Sequence, residues 1–117
     1  MKTHSAIYER FDIVVVPFPF TDRQSNKRRP ALVLSSEMEL QSRIGHSVLA
    51  MITSQSTPPW PNDVLIEEWS EAGLPNPSKV RMKIFTLDDR LILDKLGTLS
   101  DEDQKAVAKT LKRTLGF

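Results

Sequence analysis

Cysteine is absent from this 117-residue chain. That single absence excludes a disulfide scaffold, thiolate metal sites and a cysteine nucleophile, and it fits a reducing compartment. Histidine is nearly absent: His4 and His46 are the only two. Neither has a carboxylate at a ligand-like spacing, so no metal site and no cofactor are expected. The four scattered glycines cannot build the backbone cradle of a P-loop or a G-x-G-x-x-G turn, and no G-x-S-x-G elbow occurs. Long hydrophobic runs are missing as well. The longest, Ile13 to Phe20, spans eight residues and contains two prolines, far short of the roughly 20 that cross a bilayer. The opening MKTHSAIYERFD lacks the apolar stretch of a signal peptide, so a cytoplasmic protein with no membrane partner is the expectation. Nor does charge of one sign dominate, since sixteen basic and fifteen acidic residues sum to +1. What is present is enough for a core: 39% of the residues are hydrophobic, and the length suits a single domain over residues 1–117, with residues 1–10 as a loosely ordered arm.

The patterning is mostly that of strands. Ile13 to Val16 are contiguous and β-branched, which predicts a strand over residues 11–18, buried on both faces and ended by Pro17 and Pro19. Residues 21–29 contain no apolar side chain and read as a surface loop. Further strands are predicted over residues 31–36, 46–55, 63–69 and 79–86, with a short one around 91–93 after a turn at Asp88–Asp89. Within residues 46–55, Val48, Ala50 and Ile52 are placed on one face and Leu49 and Met51 on the other. Residues 37–45 read as a helical turn or a bulged excursion ending at Gly45. Residues 56–62 hold three prolines and read as a stiff, extended loop. The last segment is helical: Ser100 is a cap, Asp103 completes a capping-box-like pair, and Asp101, Glu102, Lys112 and Arg113 match the helix dipole. Val107, Leu111 and Leu115 share a face, and Gly116 ends the helix. Five or six short strands and one helix predict a mainly β fold, a small and partly open β-barrel.

Two basic features stand out. Arg23, Lys27, Arg28 and Arg29 put four cations into seven positions, and Lys79, Arg81 and Lys83 alternate along one strand. Cations at i, i+2 and i+4 of a strand project to one side about 7 Å apart, a spacing able to track a nucleic-acid backbone. A solvated sheet face has the same pattern, and the residues alone leave both readings open.

The ordered set FDIVVVPFPFTD (11–22), RRPALVLSS (28–36), MITSQ (51–55), AGLPNPSKVRMKIFTLDDRLI (72–92) and KLGTLSDED (95–103) resembles MazF/PemK-like toxins over roughly residues 11–110. The resemblance implies an SH3-like barrel, a homodimer and the toxin half of a type II toxin–antitoxin pair. It further implies a metal-independent endoribonuclease acting on single-stranded RNA and inhibited by a cognate antitoxin. By position in the shared motifs it assigns catalytic roles to Arg29, before Pro30, to Thr53, in ITSQ, and to Arg81, after the G-L-P turn. Both arginines would give bidentate charge to phosphate oxygens. RNA contacts would come from Arg23, Lys27, Arg28, Ser54, Gln55, Lys79 and Lys83, with Trp60 stacking on a base or pinning its loop; Trp69 is expected in core or dimer packing. Two departures matter. Lys83 stands where some relatives have an aspartate, and no histidine lies in the first loop, which removes two candidate acid–base groups. Phe11 stands where glycine usually precedes D-I-V. Two other functions suit the same fold: a toxin that inhibits DNA gyrase or another topoisomerase by binding, and an inactive interaction module.

Overall fold

A computed structural model describes residues 7–18 and 27–117; Arg23 and His4, both singled out above, lie outside them. Among the described residues, six strands form one antiparallel sheet: β1 (Asp12–Phe18), β2 (Lys27–Val33), β3 (His46–Ser54), β4 (Val64–Leu65), β5 (Ser78–Asp88) and β6 (Asp94–Thr98). Their spatial order is β4-β5-β3-β2-β1-β6, and the sheet curls into a half-barrel. Between β2 and β3 a wide π-type turn, Glu37–Gln41, runs into a helical turn α1 (Ser42–Ile44) that Gly45 ends. The chain closes with helix α2 (Asp101–Leu115).

The β-branched run of β1 is buried on both faces, as its composition requires. Ile13 joins one apolar cluster with Leu32, Ala50, Ile52, Val80 and Val107 of α2. Val14 and Val16 join a second cluster with Ala31, Val33, Leu49, Leu87 and Tyr8. The alternation of β3 falls out as expected, with Ala50 and Ile52 toward α2 and Leu49 on the opposite face. Tyr8, in the segment expected to be a loose arm, is buried, and its N–H donates to Gln41 Oε1 at 2.9 Å.

Several expected boundaries move, each for a backbone reason. β1 runs through Pro17, which pairs with Arg28. Its missing N–H does no harm there, because pairing of β1 with β6 stops at Val15–Asp94. Lys27 to Arg29 belong to β2 rather than to the preceding loop, paired with Phe18, Pro17 and Val16. The strand expected over 63–69 shrinks to Val64–Leu65 because the amides of Glu67 and Glu68 are taken by the Asp103 carboxylate at 3.1 and 3.0 Å. That carboxylate therefore does not complete the expected reciprocal capping pair; Ser100 Oγ still accepts from the Asp103 N–H at 3.2 Å. The strand expected around 91–93 begins at Asp94, since Asp88 caps a tight 3-10 turn over Asp89–Leu91.

The turn after β4 carries the chain across the open side of the curl to the far edge strand, β6. A Cβ on Gly73 would run into the Leu96 carbonyl, and one on Gly97 into the Ala72 carbonyl. Backbone meets backbone there, and only hydrogen fits on either side.

Candidate functional site

Register places the site residues. Val16 pairs with Arg29, Ala31 with Met51, and Met51 with Arg81. Two residues beyond the Ala31–Met51 pair, the same register sets Arg29 across from Thr53, and Thr53 itself pairs with Lys79. Directly opposed residues share a face of the sheet. Arg29, Met51, Thr53, Lys79 and Arg81 therefore share the face that carries the Val14–Val16–Leu49 cluster. One end of that face is apolar; the other carries the candidate residues.

Phe18, Arg29, Met51, Ile52, Thr53, Arg81 and Lys83 line a depression of about 170 Å³. The three residues assigned catalytic roles by resemblance thus lie in one place. The Phe18 ring sits beneath two cations, with Arg29 at 5.4 Å and Lys83 at 5.8 Å from its centroid. Between Met51–Arg81 and Ala50–Ile84 the register shifts, so that Met82 and Lys83 form a bulge in β5. Bulges re-aim side chains beside functional sites, and this one brings Lys83 to the rim.

The ladder of three exposed cations expected on β5 does not form, because two of the three are covered and paired with Asp63. Lys79 is only 4% exposed. Its ammonium donates to Thr57 O at 2.7 Å and pairs with Asp63 at 3.2 Å. Arg81 is largely covered as well: Nε and Nη2 donate to Asp63 at 3.2 and 3.0 Å, Nη2 also donates to Pro58 O at 2.7 Å, and the guanidinium lies 4.8 Å from the Trp60 centroid. The bidentate face expected for phosphate is thus spent on Asp63. Trp60 pins its loop through that stack while staying 45% exposed. Thr53 Oγ1 is 3.0 Å from Thr57 Oγ1. Ser54, the last residue of β3, and Gln55 after it are exposed; Ser54 Oγ meets Ser56 Oγ at 2.9 Å, and Gln55 Nε2 reaches Ser78 O at 3.4 Å. Lys27 and Arg28 are exposed on β2, but Arg28 projects to the face opposite Arg29. Trp69 packs half-buried against the cluster around α2.

Asp63 was not singled out by the sequence, nor were Thr57 and Phe18. The signal for Asp63 lies in a cross-strand relation. Lys79 and Arg81 need a counterion, and the β4–β5 register of Val64–Val80 and Leu65–Lys79 sets Asp63 opposite Arg81. Burial pushes the Asp63 carboxyl up, but the bonds from Arg81, the Trp60 N–H and Lys79 outweigh it and hold the group below the ordinary carboxylate range. Among the described residues, no three acidic or histidine side chains converge as a metal site. His46 spends Nδ1 on Ile44 O at 3.0 Å. No helix among them is long and apolar enough to cross a membrane.

A family model described as the PemK-like, MazF-like toxin of type II toxin–antitoxin systems matches residues 9–115. No curated protein matches the sequence. Among solved structures, MazF from Deinococcus radiodurans superposes with a TM-score of 0.74 at 22% identity, over 96% of this chain and 99% of that one. An endoribonuclease from a mycobacterial species, solved with its cognate antitoxin, gives 0.72 at 18% identity over 95% of each chain. The Mycobacterium tuberculosis toxin MazF-mt6 gives 0.70 at 19%, over 91% and 97%. At such identities these likenesses speak for the fold.

Proposed function

Because the chain belongs to the PemK-like, MazF-like toxin family of type II toxin–antitoxin systems, we propose that it is a metal-independent, sequence-selective endoribonuclease of the cytoplasm. It cuts single-stranded RNA as a homodimer and is silenced by a cognate antitoxin that competes for the same cations. The observation that carries this reading is the convergence of Arg29, Thr53, Arg81 and Lys83 on one depression.

The chemistry is an internal displacement. The ribose 2′-oxygen attacks the neighbouring phosphorus, the O2′–P bond forms and the P–O5′ bond breaks. The products are a cyclic phosphate and a free 5′-hydroxyl. Negative charge builds on the phosphoryl oxygens, where Arg29 and Lys83 supply fixed positive charge and Arg81 its remaining donors. Thr53 orients the attacking hydroxyl or donates to a phosphoryl oxygen. Asp63 is no base, since two cations hold it ionised and occupied. The 2′ proton passes to water, water returns one to O5′, and the acceleration comes from charge and geometry.

Incubation of the purified protein with single-stranded RNA in EDTA tests this. Cleavage is expected, and Arg29→Ala is expected to lose at least about 100-fold in rate, the usual effect of removing one transition-state donor. Intact RNA together with inhibition of DNA gyrase would replace the reading with that of a binding toxin. The exposed apolar tip, with Leu115 at 50% and Phe117 at 84% exposure, would serve such a partner. Intact RNA without gyrase inhibition would leave an interaction module.

A further inference from the structure

Asp63 receives four donors although its side chain is only 9% exposed. Arg81 Nε meets Oδ1; Arg81 Nη2, Lys79 Nζ and the Trp60 N–H meet Oδ2, at 3.0, 3.2 and 2.9 Å. A guanidinium has five N–H groups. Asp63 and Pro58 O occupy the Nε hydrogen and both Nη2 hydrogens of Arg81. The two on Nη1 remain to meet a ligand in the depression that Arg81 lines. A second path leaves the same carboxylate. Lys79 binds Asp63 and the Thr57 carbonyl together, and the Thr57 hydroxyl touches that of Thr53.

We propose that Asp63 is a positioning residue for RNA cleavage. It turns Arg81 so that Nη1 alone is offered to the scissile phosphate, and through Lys79 and Thr57 it fixes the Thr53 hydroxyl. This rests on the endonuclease reading given above. A carboxylate beside a phosphate site opposes binding of the ground state by simple charge. It earns its place only by geometry, and that gives it a signature distinct from a role in stability alone.

Asp63→Asn removes the charge while keeping the shape. Two cations then gain freedom and net charge, so the substrate is held as tightly as before or tighter, while the aligned geometry is lost. The expected result is a fall in kcat of at least about 10-fold with KM unchanged or lowered. A 2′-deoxy oligonucleotide, which binds but lacks the attacking hydroxyl, is expected to bind Asp63→Asn about 3-fold more tightly at low salt. Asp63→Glu keeps the charge but moves the carboxylate by about one carbon–carbon bond, roughly 1.5 Å. It is expected to lose kcat at an unchanged KM, and it decides the matter should Asp63→Asn fail to fold. Assays are run below the thermal midpoint of every variant. Parental kcat in both variants, or a raised KM at parental kcat, overturns the proposal and leaves the endonuclease reading standing. A parent protein that does not cleave RNA at all overturns both.

Discussion

At the scale of single residues, Phe11 shows how a departure from a shared motif becomes a structural statement. Its φ is +75°, in the region that L-residues avoid at a cost of about 1–2 kcal/mol. Glycine, which usually precedes D-I-V in the family, is therefore the natural occupant. Phe11 keeps the conformation because its N–H donates to Val33 O at 2.7 Å, its carbonyl accepts from Leu99, and its ring packs on the cluster around α2. Comparing two truncations separates backbone from side chain. Phe11→Gly is expected to be more stable than Phe11→Ala by about 1 kcal/mol in urea unfolding, the reverse of the usual order within a regular element. Equal stabilities would remove the strain argument. Phe11 was legible because one position carried the whole signal. Asp63 was not, because its meaning depends on residues 16 and 18 positions away that only the register brings beside it.

At the scale of elements, side-chain pattern located β1, β3, β5 and α2. Each has a β-branched run, a period or a pair of caps that no partner is needed to explain. It failed at β4, β6 and the start of β2, whose limits are set by which backbone groups find partners. Residues 63–69 are the clearest case, since their apolar and acidic mixture reads as a strand until Asp103 claims two amides. Asp103 is 2% exposed and sits in the first turn of α2, so its bonds to Glu67 and Glu68 are charge-assisted and sheltered. Asp103→Ala is expected to cost about 3 kcal/mol of unfolding free energy. Asp103→Asn, which keeps one carbonyl acceptor, is expected to cost about half as much. Equal stability of all three proteins in urea would show the tie to be idle. Asn62, in the loop before β4, adds a second link to the helix through Thr114 Oγ1 at 2.9 Å.

At the scale of the whole molecule, a net charge of +1 conceals local order. Arg29 and Lys83 share a single ring at the depression, while Asp88 is paired with Arg90 and the acids of residues 101–103 lie in the first turn of α2. The buried trio of Asp63, Lys79 and Arg81 carries only one net positive charge. Attraction to a polyanion is therefore local and modest in reach. RNA binding is expected to weaken with salt at a log–log slope of about −0.7 for each phosphate neutralised. A flat response between low and moderate salt would contradict a cationic site. The barrel class was legible from strand count and turn spacing, and the family from ordered motifs. The division of one sheet face into an apolar end and a polar end was not, because it emerges only once β1, β2, β3 and β5 lie side by side.

The tie between Asp103 and the amides at 67 and 68 also has a temporal side. Residues 101–115 follow every strand in the chain, so they leave the ribosome after all of them. Until then the segment that begins at Asp63 lacks its far anchor, and at about 5–20 residues per second that interval lasts a few seconds. The strands are therefore synthesised first, and the tie from Asp103 to residues 67 and 68 can form only after them. On the endoribonuclease reading proposed above, such an order would spare the message from which the chain is being read.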